Sequence, residues 1–216
     1  MLLRSLTLAI VTTAALAAGG TLAGAAAQAN PSHPATCAKV TEAGYRMSSS
    51  NAVVMNLSGT TPISRWSMCA HGITGTAEMT ISPFEQLLAI NNLSFNLPVH
   101  NLKGDHEAMD DHAYTALKAD HYKDIVFRLA SATIAANSQG YLVNGTGMLT
   151  VAGVSRQVTL LMHSQINPDG SITFTGSQNL RMSDYNVERP SLLFGAIRAS
   201  DDMTLTFTLI FTKQPS

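Results

Sequence analysis

The alternation of apolar and polar residues in segment 203–212, MTLTFTLIFT, is the feature that most constrains this fold. One face carries Met, Leu, Phe, Leu and Phe, whereas the other carries four threonines and Ile210. A period of two is typical of a β-strand that buries one face. The fold must therefore cover that apolar face with a second sheet, a helix or a bound molecule.

Seven further segments show the same period and predict additional strands. They are 52–59, 71–82, 92–99, 124–134, 141–152, 156–166 and 171–183. Short stretches rich in turn-forming residues separate the last four of them. Because parallel strands need long crossovers, such short connections predict sequential antiparallel hairpins. About eight strands with one apolar face fit a closed barrel or a sandwich, and alternation alone does not choose between them.

Segment 104–122 breaks the alternation and predicts one amphipathic helix between strands. Its Met109, Ala113 and Leu117 are spaced at i, i+4 and i+8, so they share one helical face. Asp105 precedes them and is predicted to cap the start of the helix. Segment 188–202 has no such period and is predicted to be a long loop.

Residues 1–29 have the pattern of a cleaved signal peptide. Arg4 is followed by an apolar run, and small residues lead to Ala27-Gln28-Ala29, a pattern that signal peptidase reads. The run is short for a membrane span, so we expect none after processing; an uncleaved anchor is the alternative. Export would place the protein in the periplasm or outside the cell. The rest of the chain divides into an N-terminal lead at 30–50 and one β-domain at 51–216.

The net charge and the absence of known motifs make several classes of function unfavourable for this sequence. The formal net charge of −1 gives no electrostatic basis for binding nucleic acid. The sequence lacks Gly-x-Ser-x-Gly, His-Glu-x-x-His, a phosphate loop and a dinucleotide-binding fingerprint. We therefore predict no catalytic residues and a protein that is not an enzyme. A hydrolase with a scattered triad would escape this search and is the third class to consider.

The helical segment is rich in acids and histidines. His106 and Asp110 lie one helical turn apart and could share a metal ion. Such residues are also ordinary on the solvent-facing side of a surface helix, and we predict no metal site. His163 falls on the outward face of its strand, where we expect it to be solvated.

The sequence GTGMLTVAGVSRQVTL from Gly145, followed by NPDGSITFTGSQNLRMSDYNVERPS, resembles the YceI-like family of exported bacterial proteins. The family features are a glycine-led strand, a Gly-Val-Thr-Arg-like hairpin and a Val-Thr-Leu strand. Here they correspond to 147–151, 153–156 and 158–160. The resemblance extends over roughly Val53 to Thr212, and the order and spacing of the motifs make it specific.

This resemblance implies an all-β, antiparallel, lipocalin-like barrel of about eight strands with one helix inserted between strands. It also implies a carrier or sequestering protein that holds an isoprenoid or other long-chain amphiphilic lipid in the barrel lumen. The expected ligands are an isoprenoid quinone, a polyprenol or a fatty-chain lipid, and no cofactor is required. The alternative is a structural or stress protein of the envelope with a filled core.

The residue types on the inward faces are compatible with either role. Methionine is flexible and adapts to irregular guests, and inward glycines at positions such as 145, 147 and 176 could leave a lumen open. Equally, methionines can fill a core and glycines can bend strands. Trp66, the single tryptophan, is interpreted as a core anchor, or else as a residue that lines the lumen or closes one end. The outward threonine face of 203–212 should meet water or the partner subunit of a homodimer.

We predict that fourteen residues contact the ligand, with the three helical ones plugging or gating one end of the lumen. They are Met79, Phe95, Leu97, Met109, Ala113, Leu117, Phe127, Leu149, Leu160, Met162, Phe174, Leu180, Phe207 and Leu209.

The two cysteines of the chain, Cys37 and Cys69, are predicted to form a disulfide, since an even number of cysteines in an exported chain favours pairing. The absence of a Cys-x-x-Cys motif makes a metal or catalytic role weaker. Closing this loop should stabilise the fold by roughly 3–4 kcal/mol. Urea unfolding of Cys69→Ser should show a loss of that size, matched by reducing the wild type. Full alkylation of both thiols without a reductant would contradict the pairing.

Overall fold

The computed structural model describes residues 40–48, 53–192 and 196–215, all within one compact unit, Cys37–Ser216. The predicted signal peptide, Cys37 and most of the N-terminal lead lie outside the described residues. Cys69 is exposed on the outer face of its strand as a free thiol. The disulfide therefore stays a prediction.

Strands make up most of the described chain. The elements in order are β1 (Thr41–Met47), β2 (Val54–Thr60), β3 (Arg65–Ala70), β4 (Thr74–Ile81), β5 (Leu87–Pro98), a 3-10 turn (Val99–Asn101), β6 (Leu102–Gly104), α1 (Glu107–Ala116), β7 (Asp124–Asn137), β8 (Gly140–Val151), β9 (Val154–Ile166), β10 (Ile172–Arg181), a second 3-10 turn (Ser183–Tyr185), β11 (Ser191–Leu192), β12 (Ile197–Arg198) and β13 (Asp202–Lys213).

The strands close into an eight-stranded antiparallel barrel in the order β1-β4-β5-β7-β8-β9-β10-β13, with β13 pairing back to β1. β13 closes the circuit because both its edges are paired. Along one edge it pairs with β10, and along the other with β2 at 203–208 and with β1 at 211–213. The predicted all-β barrel with one inserted helix is confirmed. β1 was not predicted, since only its second half buries side chains and the alternation in the sequence is correspondingly weak.

Three short strands extend one end of the barrel. β2 continues the line of β1 along β13, β3 pairs with β2, and β6 pairs with β3. β6 has no second neighbour, because β7 begins at Asp124, opposite Pro98 at the end of β5. This end of the sheet is therefore open between β6 and β7, and α1 packs against β6 there.

The other end of the barrel is filled by side chains. Phe127, Phe174, Phe211, Met79 and Ile172 are almost completely buried there. The Phe174 and Phe211 rings meet edge to face, with their centroids 5.8 Å apart. The apolar face of β13 thus has two environments, because Phe207, Leu209 and Phe211 enter this core whereas Met203 and Leu205 reach the open end.

The inward glycines do not open space in the lumen, contrary to one of the two interpretations of the sequence. A Cβ on Gly147 would lie 2.5 Å from Cζ of Phe127, and one on Gly176 would lie 2.6 Å from Cζ of Phe207. Each glycine therefore makes room for a phenylalanine ring on the neighbouring strand. The aromatic rings fill the volume that the missing side chains leave.

Two local predictions need correction. α1 begins at Glu107 with His106 as its N-cap residue, and no side chain caps it, so Asp105 is not the cap. Segment 188–202 is not wholly a loop, because β11 and β12 pair within it. His163 is exposed on β9, as predicted.

Replacement of Gly147 by alanine should destabilise the barrel, since the added methyl would overlap the Phe127 ring and a backbone carbonyl. Overpacking of a filled core costs about 1–3 kcal/mol, which urea unfolding would detect. Gly44→Ala on β1 is the matched control, because nothing lies within 4 Å of its added Cβ. Equal stabilities of the two variants would contradict the packing role of Gly147.

Candidate functional site

The open end of the barrel contains an apolar cavity of about 520 Å³. This volume lies within the range of roughly 300–1,000 Å³ that is usual for small-molecule pockets. Three walls enclose most of it: the extended strands β2, β3 and β13, the helix α1, and the segment that connects β10 to β13. Strands β5 to β8 contribute further lining residues. Its lining is predominantly aliphatic, aromatic and methionine side chains.

The strand wall follows from alternation at the open end. On β2, Met55 and Leu57 point inward, and Trp66 and Met68 do so on β3. The Trp66 indole lies directly across Gly59, its register partner on β2. Its buried Nε1 has no hydrogen-bond partner among the described residues. Trp66 therefore lines the cavity, which the sequence left as the alternative to a core anchor.

The helical wall is formed by the predicted apolar face of α1. Met109, Ala113 and Leu117 line the cavity, together with Ala108 and Ala116. The helix approaches β6 closely because Gly104 has no side chain, and the Met109 thioether occupies the position that a Cβ would take. The small residues on α1 leave room between the helix and the strand wall.

Polar contacts fasten α1 to β6. Asp110, which is 6% exposed, accepts a hydrogen bond from the Gly104 N–H at 2.6 Å and pairs with Lys103 Nζ at 3.2 Å. The backbone hydrogen bond from Gly104, followed by the interaction with Lys103, lowers the pKa of Asp110 below its ordinary value. The Tyr114 hydroxyl lies 2.9 Å from the carbonyl oxygens of both His100 and Leu102, to either of which it can donate.

The third wall is the connection from β10 to β13, residues 182–192 and 196–201, which we call the strap. Its cavity-lining residues are Met182, Tyr185, Val187, Pro190, Ser191, Ile197 and Ala199. Its two ends are tied together: Asp201 accepts hydrogen bonds from the Ser183 N–H at 2.9 Å and the Ser183 hydroxyl at 2.5 Å. Ser200 ties it to β2, since the Ser200 and Thr60 hydroxyls are 2.9 Å apart.

Tyr185 is the most buried polar residue of the strap, at 3% exposure. Burial raises the pKa of its phenol. Among the described residues its hydroxyl has no hydrogen-bond partner. Arg156 holds the adjoining turn, because its Nε donates to the Asp184 carbonyl at 2.7 Å.

Apart from the buried Tyr185 and the half-buried Thr61 and Ser191, the polar side chains of the lining lie where the cavity meets solvent. The exposed members of the lining are Ser64, Arg65, Asp105, His106 and His112. The cavity therefore has an amphiphilic character, with an apolar interior and a polar rim. Within the described part of the chain, no three His, Cys, Asp or Glu side chains group as a metal site. Asp110, which the sequence paired with His106, points to Gly104 and Lys103 instead.

Five side chains form the floor of the cavity. These floor residues are Met55, Phe95, Leu149, Leu180 and Leu205. Beneath them is a second cavity of about 30 Å³, which the same five residues also line. Gln178 is the only polar residue around the second cavity in the described part of the chain, and its amide nitrogen donates to the neighbouring Asn179 carbonyl.

The fourteen predicted contact residues divide into three groups. Seven line the main cavity: Phe95, Leu97, Met109, Ala113, Leu117, Leu149 and Leu180. Six lie around the second cavity below the floor: Phe127, Leu160, Met162, Phe174, Phe207 and Leu209. Met79 lines neither cavity and is completely buried in the filled core. Their contact with a ligand stays a prediction.

Most residues of two walls, the strap and the strand wall, were not predicted from the sequence. The strap carries no period, so nothing in the sequence marked its residues as cavity-lining. Met203 and Leu205 were on the identified apolar face of β13 but were not assigned to the site. The weak alternation in 52–59 was the available signal for Met55 and Leu57.

The fold and site define a closed antiparallel barrel with an apolar cavity under a helix and a strap. A sequence model of the YceI-like domain matches residues 45–211, so the chain belongs to the YceI-like family. A comparison with curated protein sequences found no significant match.

Solved structures show the same fold. BcnA from Burkholderia cenocepacia is 17% identical with a TM-score of 0.56, and the alignment covers 73% of this chain and 96% of BcnA. A polyisoprenoid binding domain from Saccharophagus degradans is 11% identical with a TM-score of 0.59, covering 79% and 98%. A mutant YceI protein from Campylobacter jejuni is 19% identical with a TM-score of 0.52, covering 69% and 85%. At these identities the likeness shows the fold alone.

Among the described residues, no helix has the length and apolar character that crossing a membrane requires.

Replacement of Asp110 by alanine should loosen α1 from β6, because it leaves the Gly104 N–H without its acceptor. A buried donor left unpaired costs about 1–3 kcal/mol, which urea unfolding would measure. Because the folded-state pKa of Asp110 is lowered, its stabilisation is present above the ordinary value of 3.8 and is lost as the pH falls through the folded-state pKa. The wild-type advantage over Asp110→Ala should therefore shrink in acid.

The matched control is Asp111→Ala on the same helix. The Asp111 side chain is exposed and makes no hydrogen bond or ion pair with any described residue. Its replacement should change the unfolding free energy by less than about 0.5 kcal/mol. If both alanine variants were equally stable at neutral pH, Asp110 would have no role in holding the helix.

Proposed function

We propose that this protein binds one amphiphilic lipid, with an isoprenoid or fatty chain, in the cavity at the open end of the barrel. It would act as a carrier or sequestering protein rather than by turnover. The observation that carries this proposal is the 520 Å³ cavity with apolar walls and a polar rim. An apolar interior matches a hydrocarbon chain, and the exposed rim residues match a head group that stays in contact with water.

Burial of hydrocarbon supplies the binding energy. Each methylene that leaves water contributes about 0.8 kcal/mol. A few isoprene units therefore exceed the loss of translational and rotational freedom, which costs roughly 4–15 kcal/mol. Because nearly all of this energy is apolar, selectivity should depend on chain length and width more than on the head group.

The family and the structural likeness support this class of ligand. The chain belongs to the YceI-like family, and one of the proteins with this fold is described as a polyisoprenoid binding domain. An isoprenoid quinone, a polyprenol or a fatty-chain lipid would each place a polar group at the rim and a chain inside. No metal or organic cofactor is needed for such a role.

The alternative, an envelope protein with a filled core, applies to only half of the barrel. The core around Phe127, Phe174 and Phe211 is filled, but the open end is not. A protein with a purely structural role would gain stability by filling the open end, since an empty cavity costs about 24 cal/mol for each Å³. Its persistence favours binding.

We propose further that the protein works in the periplasm or outside the cell after removal of residues 1–29. The signal-peptide pattern supports export. A lipid in those aqueous compartments needs a protein that shields its chain.

Native mass spectrometry of the mature protein purified from its own host tests the proposal. We expect an additional mass that extracts into organic solvent as an isoprenoid or fatty chain. A bare polypeptide mass that does not change after incubation with quinones, polyprenols and fatty acids would contradict it.

A cavity-filling variant locates the bound lipid. Ala113→Phe projects a ring from α1 into the cavity, so it should reduce the lipid-bound fraction at least tenfold while the protein remains folded. Thr115→Phe is the matched control, because Thr115 is exposed on the same helix and does not line the cavity. Equal lipid content in both variants would place the lipid elsewhere.

A further inference from the structure

We infer that the five floor residues limit how far a lipid chain can enter, so that the main cavity accommodates three to four isoprene units and not a full-length polyprenyl chain. This inference rests on the proposed function, since it specifies the ligand that the same cavity would take. It depends on the boundary between the two cavities and on the packing beneath it.

The floor separates two very different spaces. Above it the cavity measures about 520 Å³, and below it only about 30 Å³. The same five side chains line both cavities, so they form a single layer of contacts between them. A chain that enters from the rim meets this layer with its terminal methyl group.

The packing below the floor leaves no path for a longer chain. Phe127, Phe174 and Phe211 are each no more than 1% exposed. The space beside the inward glycines, where a chain could otherwise pass, is occupied by the Phe127 and Phe207 rings. A chain could extend below the floor only if several aromatic side chains moved together.

The volume above the floor sets the length. A group the size of a water molecule takes up roughly 30 Å³, so 520 Å³ holds about 15–20 such groups. A methylene or methine group is of similar size, which gives three to four five-carbon units. Any further units would lie beyond the rim, where Arg65, His106 and the other exposed residues meet water, and would add little binding energy.

The floor residues on one side are held by an aromatic contact from below, and those on the other side are not. Phe95 is held by stacking on Phe127, with the ring centroids 5.4 Å apart and the planes at 18°. On the opposite side, Met55 and Leu205 come from β2 and β13. The next inward residues on the same two strands, Leu57 and Met203, line only the main cavity. This arrangement supplies matched pairs: one residue in the floor and one of the same strand above it.

The first experiment measures affinity against chain length in the wild-type protein. Trp66 lines the cavity and is the only tryptophan, so its fluorescence should report binding directly. The probes are geraniol, farnesol, geranylgeraniol, geranylfarnesol and solanesol, which have two, three, four, five and nine isoprene units. Native mass spectrometry of equimolar mixtures gives the same ranking for the poorly soluble members.

The dissociation constant should fall by at least tenfold from geraniol to geranylgeraniol, because each buried methylene adds to binding. From geranylgeraniol to solanesol it should change by less than about threefold, since the added units lie outside the cavity. A continued tenfold or greater gain from geranylgeraniol to solanesol would overturn the inference and leave the proposed function intact. If none of the alcohols bound, the inference would be overturned, and if fatty acids also failed to bind, the proposed function itself would fail.

Variants of the floor provide the second experiment. Leu205→Ala joins the two cavities, so the plateau should move from four to five units and geranylfarnesol should gain about threefold or more over geranylgeraniol. Met203→Ala on the same strand removes a side chain above the floor, which widens the main cavity without extending it past the floor, and should leave the plateau at four units. A plateau that moved equally in both variants would show that total volume, and not the floor, limits the chain.

Met55→Ala with its control Leu57→Ala repeats this comparison on β2, in case Leu205→Ala does not fold. Thermal unfolding of all four variants confirms that each is folded under the conditions of the titration. An unchanged plateau in both floor variants, with both folded, would also overturn the inference.

Discussion

The pairing of β13 along both of its edges is the constraint on which the rest of the structure depends. Residues 202–211 pair with β10 along one edge, whereas the other edge is shared between β1 and β2. This closes the barrel at the β1 end and extends it at the β2 end. The same strand supplies Phe207, Leu209 and Phe211 to the filled core and Met203 and Leu205 to the cavity. One alternating sequence of ten residues thus serves both halves of the molecule.

The two halves differ in how the barrel interior is covered. In the closed half, phenylalanine rings fill the positions beside Gly147 and Gly176, so side chains occupy the interior except for the second cavity of about 30 Å³. In the open half β6 pairs with β3 along one edge only, no described strand pairs with its other edge, and α1 and the strap cover the gap. A helix with Ala108, Ala113 and Ala116 on its inner face cannot fill that volume. The cavity is therefore a direct consequence of small residues on α1 and of a sheet that ends at β6.

The period of two was sufficient to predict most strands, their antiparallel order and which residues face inward. It did not predict where along the barrel axis each inward residue lies, because alternation assigns a residue to a face of the sheet and carries no information about its position along that axis. For this reason Met79, assigned to the lumen, lies in the filled core, whereas Met203 lies at the cavity. The strap was beyond prediction, since its placement depends on contacts such as Ser200 with Thr60, which are 140 residues apart. The prediction that Asp105 caps α1 was wrong. The break in the alternation marks where the helix lies, but it does not identify a capping residue, and no side chain caps α1.

The central claim is that a lipid chain occupies the open half of the barrel and ends at the floor. The most direct test is a crystal structure of the mature protein with a geranylgeranyl amphiphile that carries a bromine at the end of its chain. Our account predicts one anomalous bromine peak inside the cavity, in contact with Met55 or Leu205, and the head group at the rim beside Arg65 or His106. A bromine peak below the floor, among Phe127, Phe174 and Phe211, or on the outer surface of the barrel, would contradict it.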